Sequence, residues 1–83
     1  MTFEIIWSAS AIKDLKKIDR PIAKRIFDAI TRLKEDPYHN IIKLTNSSYY
    51  RLRVGDYRVI LDIEKNKLRI LIIKIGHRKK IYK

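Results

Sequence analysis

The chain has no cysteine. That excludes a disulfide framework and any thiolate metal site. Glycine and proline number two each, too few for a low-complexity or linker-like segment. No window approaches the ~18 uncharged apolar residues that a membrane-spanning helix needs. The opening MTFEIIWSAS has neither a basic n-region nor an apolar h-region, so no signal peptide is expected and the expected compartment is the cytoplasm. Acid is also scarce. Nine Asp and Glu stand against 20 Lys and Arg, a formal net charge of +11 in 83 residues. Such a field favours polyanions: nucleic acid, an acidic protein or an anionic membrane surface. The plain alternative is a basic, solvated surface. We expect a nucleic-acid or acidic protein partner and no membrane.

What is present is enough for one small domain, residues 1–83. Hydrophobic residues make up 46% of the chain, which argues against disorder. A domain of this size buries roughly 60–65% of its unfolded surface, so modest stability is expected. No repeat, linker or break in composition divides it. FEIIW, residues 3–7, alternates Phe3, Ile5 and Trp7 and predicts a first strand. Ser8 or Ser10 caps a helix in which Ile12, Leu15 and Ile18 recur at helical spacing. Asp19-Arg20-Pro21 starts a second helix with an apolar stripe of Ile22, Ala23, Ile26, Phe27, Ile30 and Leu33; Lys24, Arg25, Asp28, Arg32 and Lys34 face water. Asp36-Pro37 stops it. Residues 37–48 are turn-rich and read as irregular. The period then changes to two: strands are predicted at Tyr49–Val54, Tyr57–Ile63 and Leu68–Ile75, the last apolar on both faces as in a central strand. The expected fold is α+β, βααβββ. An N-terminal strand and a helical hairpin pack on one face of a mostly antiparallel four-stranded sheet.

The stretch YRLRVGDYRVILD, residues 50–62, carries the site argument. A two-residue Gly55-Asp56 turn of type II′ pairs Val54 with Tyr57, Arg53 with Arg58, Leu52 with Val59 and Arg51 with Ile60. Leu52, Val54, Tyr57, Val59 and Leu61 then face the helices. Arg51, Arg53 and Arg58 share the other face, two of them directly opposed, which is unfavourable between like charges. Either the side chains splay into water or an anion sits between them. A second two-residue turn at Lys65-Asn66 pairs Asp62 with Arg69 and brings Gly76-His77-Arg78 beside Arg58. One concave site then gathers Arg51, Arg53, Arg58, His77, Arg78 and Tyr82.

Guanidiniums bind phosphate through bidentate, charge-assisted hydrogen bonds. Several around one phosphate favour the added charge of a pentacoordinate transition state. In RNA the adjacent 2′-hydroxyl is a built-in nucleophile, and its attack needs no metal. The carboxylates Asp14, Asp19, Asp28, Glu35 and Asp36 read as helix-surface or cap residues, with no metal-ligand spacing, so no metal and no cofactor is expected. Tyr49, Tyr50 and Tyr82 are candidates to stack on bases, Tyr50 and Tyr57 having a core reading beside it. Lys79 and Lys80 of the basic tail are candidate RNA contacts. Arginine is a poor general base, whereas the imidazole of His77 is suited to proton transfer near neutral pH. His39, in the loop, reads as a surface residue.

YRLRVGDYRVILDI and ILIIKIGHRKKIYK, with WSASAIKDLKKI near the start, resemble the RelE toxins of RelE/ParE toxin–antitoxin systems over nearly the whole chain. The resemblance implies a ribosome-dependent endoribonuclease that cuts mRNA in the ribosomal A site. It also implies an acidic RelB-type antitoxin, which wraps the toxin and, in complex with it, represses their operon at operator DNA. The family's two basic positions on its second strand fall on Arg51 and Arg53, its third-strand Arg on Arg58, the Arg after the closing Gly on Arg78 and the C-terminal Tyr on Tyr82. Well-studied members carry Lys at both second-strand positions; this chain carries Arg. His77 as a proton acceptor is our own inference. Two other readings stay open: a ParE-like toxin that binds DNA gyrase, and a basic RNA-binding domain without activity.

Overall fold

Capping and alternation signals in the first third of the chain translate directly into structure in the computed structural model, which describes residues 2–77. Strand β1 (Glu4–Trp7) ends at Ser8, and helix α1 (Ala9–Lys16) follows. Of the two candidate serines, Ser8 is the cap: the Ala11 N–H donates to its Oγ at 3.0 Å, satisfying one of the helix's orphan donors. Helix α2 (Arg20–Arg32) carries Pro21 in its first turn, where a missing N–H costs nothing.

The second half is sheet: β2 (Ile41–Lys43), β3 (Tyr50–Val54), β4 (Tyr57–Glu64) and β5 (Arg69–His77), with a 3₁₀ turn at Lys65–Lys67. The strand order is β1-β5-β4-β3-β2. β1 runs parallel to β5, and every other neighbouring pair is antiparallel. The α+β architecture is the expected one, but the sheet has five strands rather than four. β2 lies inside the stretch read as irregular and pairs with Tyr50–Leu52. Three residues are too few to display a period; such a strand exists because its partner supplies the ladder.

Both helices cover one sheet face. α1 packs chiefly on β5, and α2 reaches β3. Ala11, Ile26, Ile30 and Leu33 meet Leu52, Val59, Leu61, Ile70, Ile72 and Ile75 in the core, and no polar or charged side chain is buried among the described residues. Two positions expected in the apolar stripes lie outside it: Ile12 is 42% and Phe27 49% exposed. α1 turns Ala11, not Ile12, toward the core. It lies so close to β5 that the Asp14 carboxylate accepts a hydrogen bond from the Ile75 N–H at 3.0 Å, a spacing that suits the small side chain. Phe27 instead stacks on Trp7, with centroids 6.0 Å apart and planes 15° from parallel.

The edge of β5 explains α1's position. β1 pairs with Arg69–Ile72 only. Beyond that point Ser8 Oγ donates to the Ile73 carbonyl at 2.8 Å, and Asp14 takes the Ile75 N–H. An exposed edge of unpaired groups is thereby closed. Asp14, read from sequence as a helix-surface carboxylate, is an edge acceptor.

The connection from β4 to β5 also departs from expectation. Residues 65–68 all lie in the loop, with Leu68 at φ 52°, so Glu64 and not Asp62 sits across from Arg69. The ion pair is Glu64–Arg69 at 3.0 Å; Asp62 faces Leu71. A register shift between Ile60 and Leu61 then leaves Ile73 as an extra residue on β5, a β-bulge.

Candidate functional site

The β3–β4 hairpin has the predicted register: Val54 opposite Tyr57, Arg53 opposite Arg58, Leu52 opposite Val59 and Arg51 opposite Ile60. Gly55 has φ +59° while Asp56 does not have a positive φ, the sign pattern of a type II′ turn. Because side chains alternate, the buried Leu52, Val59 and Leu61 fix Arg51, Arg53 and Arg58 on the face without helices.

Arg51 and Arg58 are half-buried and Arg53 is exposed. Nε of Arg51 and one terminal nitrogen of Arg58 are shielded from solvent, which strengthens their field at short range. Arg53 Nε lies 3.4 Å from the Gly55 carbonyl it donates to. That contact turns it toward the hairpin end. Gly76 is Arg58's partner on β5 and Lys74 is the partner of Ile60. β5 therefore brings no side chain over Arg58 and adds an amine in the row of Arg51. Lys74 Nζ lies 3.7 Å from Asp14.

The carboxylates of this face lie at its other end. Asp62 is four residues along β4 from Arg58, about 13 Å at strand spacing, and Glu64 is held by Arg69. The face is thus polarised, basic beside the hairpin turn and mixed at the far end. β2, missed in the sequence, extends the basic end. Ile42 is opposite Arg51, and the Leu44 N–H donates to the Tyr49 carbonyl at 3.0 Å. A depression of about 420 Å³ is lined by Ile42, Lys43, Leu44, Thr45 and Arg51. Ile42 is 58% and Tyr49 39% exposed, an apolar surface next to a guanidinium.

His77 is not on this face. It is opposite Tyr57, and the two rings meet edge to face at 5.5 Å. The bulge at Ile73 causes this. Without the extra residue, alternation from Arg69 would set His77 on the arginine face; with it, Ile75 and His77 move to the helix side. Tyr50 and Tyr57 pack against the core, as in their core reading. His39 is a surface residue, 54% exposed, 3.6 Å from Asp36. Arg78, Lys79, Lys80 and Tyr82 lie outside the described residues. Among the described residues no group of three or more His, Cys, Asp or Glu side chains converges, and no helix is long and apolar enough to cross a membrane.

Residues 5–82 match the family model of the ParE toxin of type II toxin–antitoxin systems, parDE. Toxin RelE3 of Methanocaldococcus jannaschii is 34% identical over 85 residues, covering 95% of this chain and 94% of the relative. The RelE of an archaeal RelE–RelB complex from Pyrococcus horikoshii superimposes with a TM-score of 0.85 at 26% identity, covering 96% of this chain and 99% of that one. A RelB–RelE complex from Methanococcus jannaschii gives a TM-score of 0.76 at 29% identity, covering 93% and 94%. With its fold, its hairpin and these likenesses together, the chain belongs to the RelE/ParE superfamily of type II toxin–antitoxin toxins, as a RelE-type member.

Proposed function

We propose that the chain is a ribosome-dependent mRNA endoribonuclease that halts translation by cutting in the A site. The observation that carries this reading is the basic end of the helix-free face: Arg51, Arg53 and Arg58 in register, with only Gly76 opposite Arg58 on β5. A scissile phosphate seated there has guanidiniums on both sides. The 2′-hydroxyl of the preceding nucleotide attacks phosphorus, the bond to the 5′ oxygen breaks, and a 2′,3′-cyclic phosphate and a free 5′-hydroxyl result. The 2′-hydroxyl loses its proton and the departing oxygen gains one. The arginines stabilise the charge that grows on the non-bridging oxygens. Ile42, Leu44 and Tyr49 offer a surface on which a flanking base stacks. No metal or cofactor enters this scheme. Arg78 and Tyr82 complete the set by family likeness, and Lys79 and Lys80 are further proposed RNA contacts.

The partner proposed for the +11 chain is an acidic RelB-type antitoxin, since RelE–RelB complexes are among the similar solved structures. That complex, rather than the free toxin, is the proposed ligand of operator DNA. The reading is tested by primer extension on messages translated by purified ribosomes. Codon-phased cuts in the A site are expected, and are lost with Arg78→Ala. The matching family model carries the ParE name, which favours one second reading, a toxin that binds DNA gyrase. Intact messages together with arrested supercoiling would establish that reading and overturn the first.

A further inference from the structure

A second basic cavity, of about 290 Å³, opens around the edge of β3 from the arginine face. Arg25, Arg32, His39, Asn40, Arg53 and Val54 are among its lining residues. It exists because β2 is short. β2's pairing with β3 ends at Ile41 and Leu52, so the end of β3 has no strand beyond it, and the space lies open to α2. A smaller cavity of about 200 Å³ adjoins it through Arg25, Val54 and Gly55.

The charges there are one-sided. Arg25 and Arg32 are two helical turns apart on one flank of α2, about 10 Å along its axis, and both are exposed. The one carboxylate in the lining, Asp28, is taken by Lys24 at 2.9 Å. Two cations outside the cavity do meet acids, Arg69 on Glu64 and Lys74 on Asp14. Among the described residues Arg25 and Arg32 have no such partner. Arg53 stands between the two sites. It is opposite Arg58 on the sheet and also lines this cavity.

We propose that the cavity is a second phosphate subsite, which takes a phosphodiester of an RNA strand away from the position of cleavage. The proposal rests on the nuclease reading and deepens it. Guanidiniums on two elements give the forked donor geometry that phosphate selects. The space is several times the roughly 30 Å³ of one water, room for one phosphate group and its shell. The strand comes from the message or from ribosomal RNA, and it binds this site without sequence preference, since phosphates carry none.

The test compares the full chain with Arg25→Gln/Arg32→Gln, both at exposed helix positions. On programmed ribosomes the toxin concentration for half-maximal cleavage is expected to rise about tenfold in the variant, and its log–log salt dependence to flatten by about one unit. The maximal rate stays within about twofold, because no contact to the reacting phosphate is lost. An unchanged half-saturation, or a fall in maximal rate alone, overturns the assignment. So does a loss of affinity confined to an acidic antitoxin, which would give the cavity to carboxylates. A second measurement does not depend on cleavage. Inorganic phosphate titrated into the full chain is expected to shift the amide resonances of Ala29 and Asn40, which line only this cavity, and not to do so in the variant, whereas the Arg51 and Arg58 resonances respond in both. Shifts at Ala29 and Asn40 in a chain that proves unable to cut RNA support the subsite and overturn the nuclease reading alone; no shifts there overturn the subsite. A message truncated just 3′ of the A-site codon separates the sources: weaker half-saturation assigns the subsite to the message, and an unchanged value assigns it to ribosomal RNA.

Discussion

Arg58 is the residue on which the proposed chemistry turns most. It is half-buried, opposite both Arg53 and Gly76, on the face away from the core. Arg58→Ala is expected to lower the single-turnover cleavage rate by about a hundredfold or more, as loss of one donor to a developing oxyanion does. The far-UV spectrum and the melting temperature should change little. His77 lies on the other side of the sheet, against Tyr57. His77→Ala is therefore expected to leave the rate and its pH profile unaltered and to lower the melting temperature instead. A reduced rate with unchanged stability would return His77 to the site. Gly55 offers a cleaner case. Nothing lies within 4 Å of where a Cβ would stand, yet its φ is +59°. Gly55→Ala should cost about 1–2 kcal/mol in chemical denaturation, from backbone strain and not from a clash.

At the scale of elements, α1 acts as the missing part of an edge strand. β5 has nine residues and β1 only four, and Ser8 and Asp14 serve the remainder. Removing the carboxylate leaves the Ile75 N–H without its acceptor, next to a core residue. Asp14→Ala is expected to destabilise the chain by about 1–3 kcal/mol. Hydrogen exchange at Ile75 should rise ahead of exchange in β4. Asp14→Asn keeps an acceptor oxygen and should lose less. An equal loss in both variants would assign Asp14's role to its charge on Lys74 rather than to the edge bond.

At the scale of the molecule, charge dominates. An excess of +11 on 83 residues repels itself in the compact state and draws polyanions. The proposed acidic antitoxin relieves that repulsion and binds only the folded form, so saturating antitoxin should raise the melting temperature. Its affinity should fall at least about tenfold between low and high salt, read by calorimetry. A salt-independent affinity would mean an apolar interface, and the stacked pair Trp7 and Phe27 beside β1 would then be the first surface to examine.

The hairpin was legible in the order of residues alone. Strict alternation from Tyr50 to Val54 and a glycine that tolerates positive φ leave one register, and that register sets three arginines on one face. Both helices and most of the core were legible there too, because apolar spacing and caps are local. Three features were decided only in the folded molecule. β2 is too short to carry a period of its own. The loop through Leu68, at φ 52°, has no glycine to announce it. The bulge at Ile73 lies in LRILIIKI, a run apolar on both sides, in which a one-residue slip leaves no trace in the pattern. There the choice belongs to α1, whose Ser8 holds the Ile73 carbonyl and whose Asp14 holds the Ile75 N–H. Those two distant hydrogen bonds settle which way Ile75 and His77 point, which no count along the strand can do.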